Sequence, residues 1–97
     1  MTTKLSESEI QSLLRERSGW TVVNGKLHRE YKFPDFANAM GFMVIAAPMI
    51  EKRNHHPEWS NVYNNVTVDL TTHDAGGITQ HDVELAKLLE DIARKLA

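Results

Sequence analysis

The sequence predicts an α+β protein, in which a four-stranded antiparallel sheet carries three helices on one face in the order α-β-β-α-β-β-α. Two pairs of short segments with alternating apolar residues are each joined by an Asn-containing turn, as in β-hairpins. Three segments with helical periodicity precede, separate and follow these pairs. Two hairpins can join into one sheet that buries a face against the helices. At 97 residues and 41% apolar content, we expect one domain spanning residues 1–97.

Composition and charge exclude several classes of function. The chain has no cysteine, which rules out disulfides, thiolate metal sites and a cysteine nucleophile. A net charge of −2 with scattered lysines and arginines argues against direct nucleic-acid binding. The first nine residues lack the apolar core of a signal peptide, and no apolar run could span a bilayer. These features predict a soluble, cytoplasmic protein that contacts neither membranes nor nucleic acid.

The first helix and hairpin have clear start and turn signals. Ser6 and Glu9 form a capping box that starts the helix. Two strands are expected at residues 20–23 and 27–33, and Asn24-Gly25 between them suits a type I′ turn, since both central residues need positive φ. The alternation along the second strand predicts one covered and one solvent-facing side.

The second helix is expected at residues 36–53, with Asp35 as its N-cap. Pro48 removes one helical hydrogen bond and clashes with the preceding turn, costing about 3 kcal/mol, so we expect a kink at residues 44–48. A helix this apolar is expected to be central, or to be covered by another subunit. Its predicted apolar face comprises Ala39, Met40, Met43, Ala47 and Ile50, and is widened by Phe42, Ile45 and Ala46.

The second hairpin is predicted at residues 61–63 and 66–72, with its turn at Asn64-Asn65. Gly76-Gly77 indicates a flexible loop, after which Thr79-x-x-Asp82 forms the capping box of the last helix. The uncovered sheet face and the sheet edges predict oligomerisation, because bare edges favour pairing.

The most informative stretch contains His55 and His56, which come just past the second helix, with Pro57 favouring extended backbone. His73 follows the last strand. Imidazoles titrate near neutral pH, so these residues indicate an acid/base pocket. A purely structural reading also stands: the pair could complement a helix dipole, and Asp82 could be only a cap.

Other site classes fit less well. Adjacent residues in extended backbone point to opposite sides, so His55 and His56 would not easily share a metal ion, and no HxH or HxxxH spacing occurs. No serine elbow or Gly-rich phosphate loop is present. His28 is expected to be an ordinary surface histidine on the polar side of its strand. The remaining class of site is one in which imidazoles transfer protons, aided by a carboxylate.

A resemblance supports the enzymatic reading. The string Glu51-x3-His55-His56-Pro57-x5-Tyr63-x9-His73-x8-Asp82 resembles the signature of the pterin-4a-carbinolamine dehydratases. The similarity covers nearly the whole chain, including the contiguous His-His-Pro-Glu-Trp. The chain departs from the family pattern at three positions: Pro48 replaces an ordinary helix former, Ser60 an aromatic residue and His81 an arginine.

The resemblance implies the same sheet with three helices on one face, a homodimer or homotetramer, and activity without a metal or other cofactor. The implied reaction dehydrates 4a-hydroxytetrahydropterin to quinonoid dihydropterin and so recycles the pterin used by aromatic amino acid hydroxylases. His56 would be the main acid/base, assisted by His55 and His73. The implied supporting residues are Glu51, Trp59, Thr72 and Asp82. Some family members also stabilise the dimer of a homeodomain transcription factor, which is the alternative role.

Overall fold

The computed structural model describes residues 3–97, and the order of elements is the one that the sequence predicts. The elements are α1 (Glu7–Glu16), β1 (Thr21–Val23), β2 (Lys26–Lys32), α2 (Phe36–Arg53), β3 (Glu58–Val62), β4 (Asn65–Leu70), a 3-10 turn (His73–Ala75) and α3 (Gln80–Leu96). Capping boxes start both α1 and α3, at Ser6 and Thr79.

The four strands form one antiparallel sheet in the order β1-β2-β4-β3. The two hairpins meet where β2 pairs with β4, from Leu27 opposite Leu70 to Lys32 opposite Asn65. The covered face of the sheet is buried against the helices through Leu27, Tyr31, Val66, Val68 and Leu70. The other face, here called the open face, carries Lys26, His28, Glu30, Glu58 and Asp69.

Aromatic rings fill the core between the sheet and α2. Phe42, fully buried on α2, lies with its ring centroid 5.2 Å from those of both Tyr31 and Phe33. Trp59 of β3 contacts Phe42 edge-on at 6.2 Å. Burying rings of this size supplies much of the apolar stabilisation of a small domain.

The buried side of α2 is narrower than the predicted apolar face. Its buried residues are Ala39, Phe42, Ala46 and Ile50, whereas Met40, Ile45 and Ala47, which belong to the predicted face, are exposed. A helix that is apolar all round has no periodicity to fix its orientation, so the tertiary contacts decide. Asp35 caps the helix as predicted, because its Oδ1 accepts from the Asn38 N–H at 2.8 Å. The helix continues without interruption through Pro48.

Two loop predictions also change. β3 begins at Glu58, three residues earlier than predicted, and the second hairpin turns at Tyr63-Asn64, with Tyr63 at φ 51°. The Asn61 side chain stabilises this turn by donating to the carbonyl oxygens of Tyr63 and Asn65. At Gly76-Gly77 the chain makes a loop, as predicted, and a Thr72–Gly77 bridge closes this loop around the 3-10 turn.

Candidate active site

A cleft of about 380 Å³ opens where the end of α2, the start of β3 and the end of β4 come together. Residues 54–58 line one side and residues 71–74 the other. His55, His56 and His73 therefore share one cleft, although 16 or more residues separate the pair from the third along the chain. Clefts of about 300–1,000 Å³ are typical of small-molecule sites.

His55 is the most enclosed of the three histidines. Its side chain is 16% exposed, and its Nε2 lies 2.6 Å from Oδ1 of Asp82, which is fully buried. A short contact to a buried carboxylate orients the ring and favours a proton on Nε2. The His81 ring lies near the other side of His55, with centroids 5.6 Å apart.

Asp82 serves the fold and the cleft together. Its Oδ2 accepts from the Thr79 N–H at 2.9 Å, which completes the capping box of α3. The same oxygen accepts from the Thr72 hydroxyl at 2.8 Å, at the edge of the cleft. The sequence left open whether Asp82 only caps a helix or also positions a histidine, and its contacts combine both.

His56 takes its partner from the last turns of α2. Its Nε2 lies 3.2 Å from Oε1 of Glu51, and both side chains are largely exposed. Asn54 ends α2 in the left-handed conformation, at φ 53°, which turns the chain toward the cleft before His55. The two adjacent histidines consequently contact different carboxylates on different elements.

His73 lies on the 3-10 turn opposite the His pair, and its side chain is 79% exposed. Its Nε2 is 3.4 Å from Oε2 of Glu58, the first residue of β3. The other oxygen of Glu58 accepts from Nζ of Lys26 at 2.6 Å. The hydrogen bond from Lys26, with the positive charges of Lys26 and His73, lowers the pKa of Glu58 from its ordinary value.

Two residues named from the sequence lie away from the cleft surface. Trp59 belongs to β3 and contacts Phe42 in the core, so it lies beneath the site rather than among its lining residues. His28 lies on the open face, where its Nδ1 is 2.8 Å from Asp69 and its Nε2 is 3.1 Å from Glu30. Sequence reasoning gave no role to Lys26 or Glu58. The order and register of the strands bring Lys26 and Glu58 together, and a single sequence does not reveal either.

The geometry limits what the site can hold. No cluster of three or more potential metal-ligating side chains occurs within residues 3–97. Within the same residues, no helix is both long and apolar enough to cross a membrane. What the cleft does offer is three imidazoles with separate carboxylate partners, an arrangement suited to moving protons.

The fold and the cleft define a small α+β protein with a histidine site at one end of its sheet, and comparison with known proteins identifies the family. The family model described as pterin 4 alpha carbinolamine dehydratase matches residues 3–92. The chain therefore belongs to the pterin-4a-carbinolamine dehydratase family, and the predicted membership of a hydro-lyase family is confirmed.

Similar proteins span the chain almost end to end. A protein of Solibacter usitatus is 72% identical over 93 residues, which are 96% of this chain and 98% of that one. A protein of Opitutus terrae is 51% identical over 94 residues, covering 96% and 97%. Both carry the name pterin-4-alpha-carbinolamine dehydratase, given provisionally.

A solved structure confirms the predicted fold. The crystal structure of a transcriptional coactivator/pterin dehydratase from Brucella melitensis is 45% identical to this chain, with a TM-score of 0.89. The match covers 94% of this chain and 99% of that one.

Proposed function

We propose that this protein removes water from a 4a-hydroxytetrahydropterin to give the quinonoid dihydropterin. The observation that carries the proposal is the convergence of His55, His56 and His73 on one cleft, each beside its own carboxylate. The cleft volume of about 380 Å³ suits a flat bicyclic ring. Membership of the dehydratase family supplies the substrate class.

In this reaction the protein needs to supply only an acid and a base. The carbon–oxygen bond at C4a breaks as the hydroxyl takes up a proton and leaves as water. The lone pair of a ring nitrogen forms the new double bond, and the ring gives up a proton to a base. A positioned acid and base accelerate such steps by about 10²–10⁴-fold, so no nucleophile is needed.

The contacts support a division of labour among the histidines. His56 is the main acid/base in this proposal, because it lines the cleft and its side chain remains 56% exposed. His55, held by Asp82, and His73 orient the substrate and share protons. Glu51 supports His56.

The remaining predicted residues act around them. Thr72 links the wall of the cleft to Asp82 through its hydroxyl, and in this proposal its backbone contacts the pterin. Trp59 is the second residue of β3, and it supports the cleft from the covered face of the sheet.

Replacing His56 with alanine tests the proposal directly. We expect His56→Ala to reduce dehydration of a 4a-hydroxytetrahydropterin by at least tenfold, since a general acid/base contributes about 10²–10⁴-fold. Stopped-flow absorbance, with and without a chelator, measures the rate. His28→Gln is the matched control, because His28 lies on the open face outside the cleft, and it should retain the wild-type rate.

The outcomes separate the parts of the proposal. An unchanged rate in His56→Ala contradicts the role given to His56. An inactive wild-type protein contradicts the dehydratase function itself. Loss of the wild-type rate in chelator contradicts the metal-free mechanism.

The outer side of α2 supports assembly into a homodimer or homotetramer. Large apolar side chains are exposed along it, and they are Phe36, Met40, Val44, Ile45 and Met49. This set is here called the outer α2 surface. Exposed apolar side chains that cluster on one surface are typical of an interaction site. We propose that a second copy of the chain covers this surface.

A second candidate function uses the same surface. The similar crystal structure is described as a transcriptional coactivator/pterin dehydratase, so the outer α2 surface is also a candidate for stabilising the dimer of a transcription regulator. Such a role would be lost with changes to this surface and kept in His56→Ala. We further propose a cytoplasmic location and a link to an aromatic amino acid hydroxylase, the class of enzyme whose oxidised pterin product this reaction would recycle.

A further inference from the structure

The salt bridge between Lys26 and Glu58 joins two strands that are not neighbours. Nζ of Lys26 lies 2.6 Å from Oε1 of Glu58, yet β4 separates β2 from β3 in the sheet. The pairing of β2 with β4 ends at Leu27 opposite Leu70. Lys26 therefore reaches across the open face just where β4 ends and the chain leads on to His73.

Glu58 uses its two oxygens for two different cationic groups. Oε1 faces Lys26, and Oε2 lies 3.4 Å from Nε2 of His73. The second distance is longer than a well-formed hydrogen bond. Contacts at catalytic sites are often long in the free enzyme and shorten when the substrate is bound.

His73 is the least enclosed of the three cleft histidines. Its side chain is 79% exposed, against 16% for His55 and 56% for His56. Within the part of the chain that the structure describes, the His73 ring contacts the side chain of Glu58. Glu58 is itself 46% exposed, so it too needs a partner to stay in one rotamer.

We propose that Glu58 is a positioning residue for His73, and that Lys26 holds Glu58 in the required orientation from the open face. Glu58 accepts a hydrogen bond from the N–H at Nε2 of His73, which leaves Nδ1 for the substrate. This inference rests on the proposed function, because it assigns His73 an orientation for proton transfer. It adds to the site a positioning contact from Lys26, a lysine outside the cleft.

The orientation of the ring can be measured without any activity assay. NMR couplings about the Cα–Cβ bond report whether His73 occupies one rotamer or averages over several. We expect one dominant rotamer in the wild type and in Lys26→Arg, which keeps the cation, and averaging in Lys26→Met and Glu58→Gln. Lys32→Met is the matched control, since Lys32 is an exposed lysine of the same strand face.

The carboxyl titration of Glu58 gives a second, independent readout. Because the Lys26 hydrogen bond is the main cause of the lowered pKa of Glu58, Lys26→Met should raise that pKa toward 4.5. Lys32→Met should leave it unchanged. Carboxyl ¹³C shifts followed over pH measure both variants.

Kinetics then connect the contact to the reaction. We expect kcat to fall about tenfold in Glu58→Gln and Lys26→Met, with little change in KM. Partners that orient a metal-bound histidine contribute about 10–100-fold, and we expect a comparable factor for an imidazole that must be oriented to transfer a proton. Lys26→Arg and Lys32→Met should retain the wild-type kcat. A single His73 rotamer in Glu58→Gln, or an undiminished kcat in that variant, would overturn the proposal. An inactive wild type would contradict the dehydratase function, and the rotamer measurement would still decide the role of Glu58.

Discussion

Asp82 shows how one side chain can connect helix capping with a functional site. A buried carboxylate is costly unless its lone pairs are used, and both oxygens of Asp82 are used. Oδ1 contacts His55, while Oδ2 accepts from the Thr79 N–H and the Thr72 hydroxyl. Changing Asp82 therefore affects stability and the orientation of His55 together.

We expect Asp82→Asn to lower the free energy of unfolding by about 1–3 kcal/mol, because an amide cannot satisfy all three donors. The rate of dehydration should fall as well, even at temperatures where the variant stays folded. Urea unfolding and the dehydration assay measure the two effects. Asp91→Asn is the control, since Asp91 is an exposed residue of the same helix. Equal stability of the two variants would contradict the structural role of Asp82.

His28 is the titrating residue whose environment differs most from the sequence-based expectation. It was predicted to be an ordinary surface histidine, yet its ring lies between Asp69 and Glu30 and its side chain is 18% exposed. The hydrogen bond to Asp69, followed by that to Glu30, raises the pKa of His28 above 6.5. Strand register brings Asp69 opposite His28, which explains why the sequence alone did not reveal the contact.

The raised pKa of His28 makes its contribution to stability depend on pH. Protonation is more favourable in the folded state, so the contribution is complete below pH 6.5 and is lost as the pH rises through the folded-state pKa. We expect the unfolding free energy of the wild type to exceed that of His28→Gln most at low pH, and the difference to shrink above that window. Urea titrations from pH 5 to 9 test this. A difference that is independent of pH would refute it.

At the scale of elements, α2 illustrates both the reach and the limit of sequence reasoning. Its bounds and its Asp35 cap follow from local signals and are confirmed. The side that it buries does not follow from the sequence, because Met40 and Ala47 are as apolar as Ala39 and Ala46. Only the positions that Tyr31, Phe33 and Trp59 take in the folded protein make Phe42 the central contact.

Pro48 is expected to reduce the stability of α2. It is exposed in the helix interior and lacks the N–H that would donate to the preceding turn. We expect Pro48→Ala to raise the free energy of unfolding by about 1–3 kcal/mol, with the upper value set by the cost of proline in a helix interior. Thermal and urea unfolding measure the change. Ala37→Ser, at another exposed position of α2, is the control for a small change, and a lower stability of Pro48→Ala would contradict the expectation.

At the scale of the whole molecule, the outer α2 surface is the feature that one chain leaves unexplained. We expect Val44→Glu to shift the protein toward the monomer, because Val44 is 61% exposed and a carboxylate is costly to bury in an apolar interface. Sedimentation velocity measures the assembly state. Gln11→Glu adds the same charge at an exposed position of α1 and should leave the assembly unchanged. A wild-type protein that sediments as a monomer would contradict the proposed interface.

The sequence predicted those residues of the candidate site that belong to the spaced signature of the family. The His55-His56 pair, His73 and Asp82 all come from the sequence signature, and the structure brings the three histidines to one cleft. Lys26 and Glu58 meet across an intervening strand. Contacts of that kind depend on strand order and register, which alternation within a strand does not determine.

The shared use of Asp82 has a consequence for heat inactivation. The first turn of α3 cannot fray without withdrawing the carboxylate that holds His55. A local opening of a few residues would then stop turnover while most of the sheet and core remain folded. Catalysis in this protein should accordingly fail at a lower temperature than the fold does.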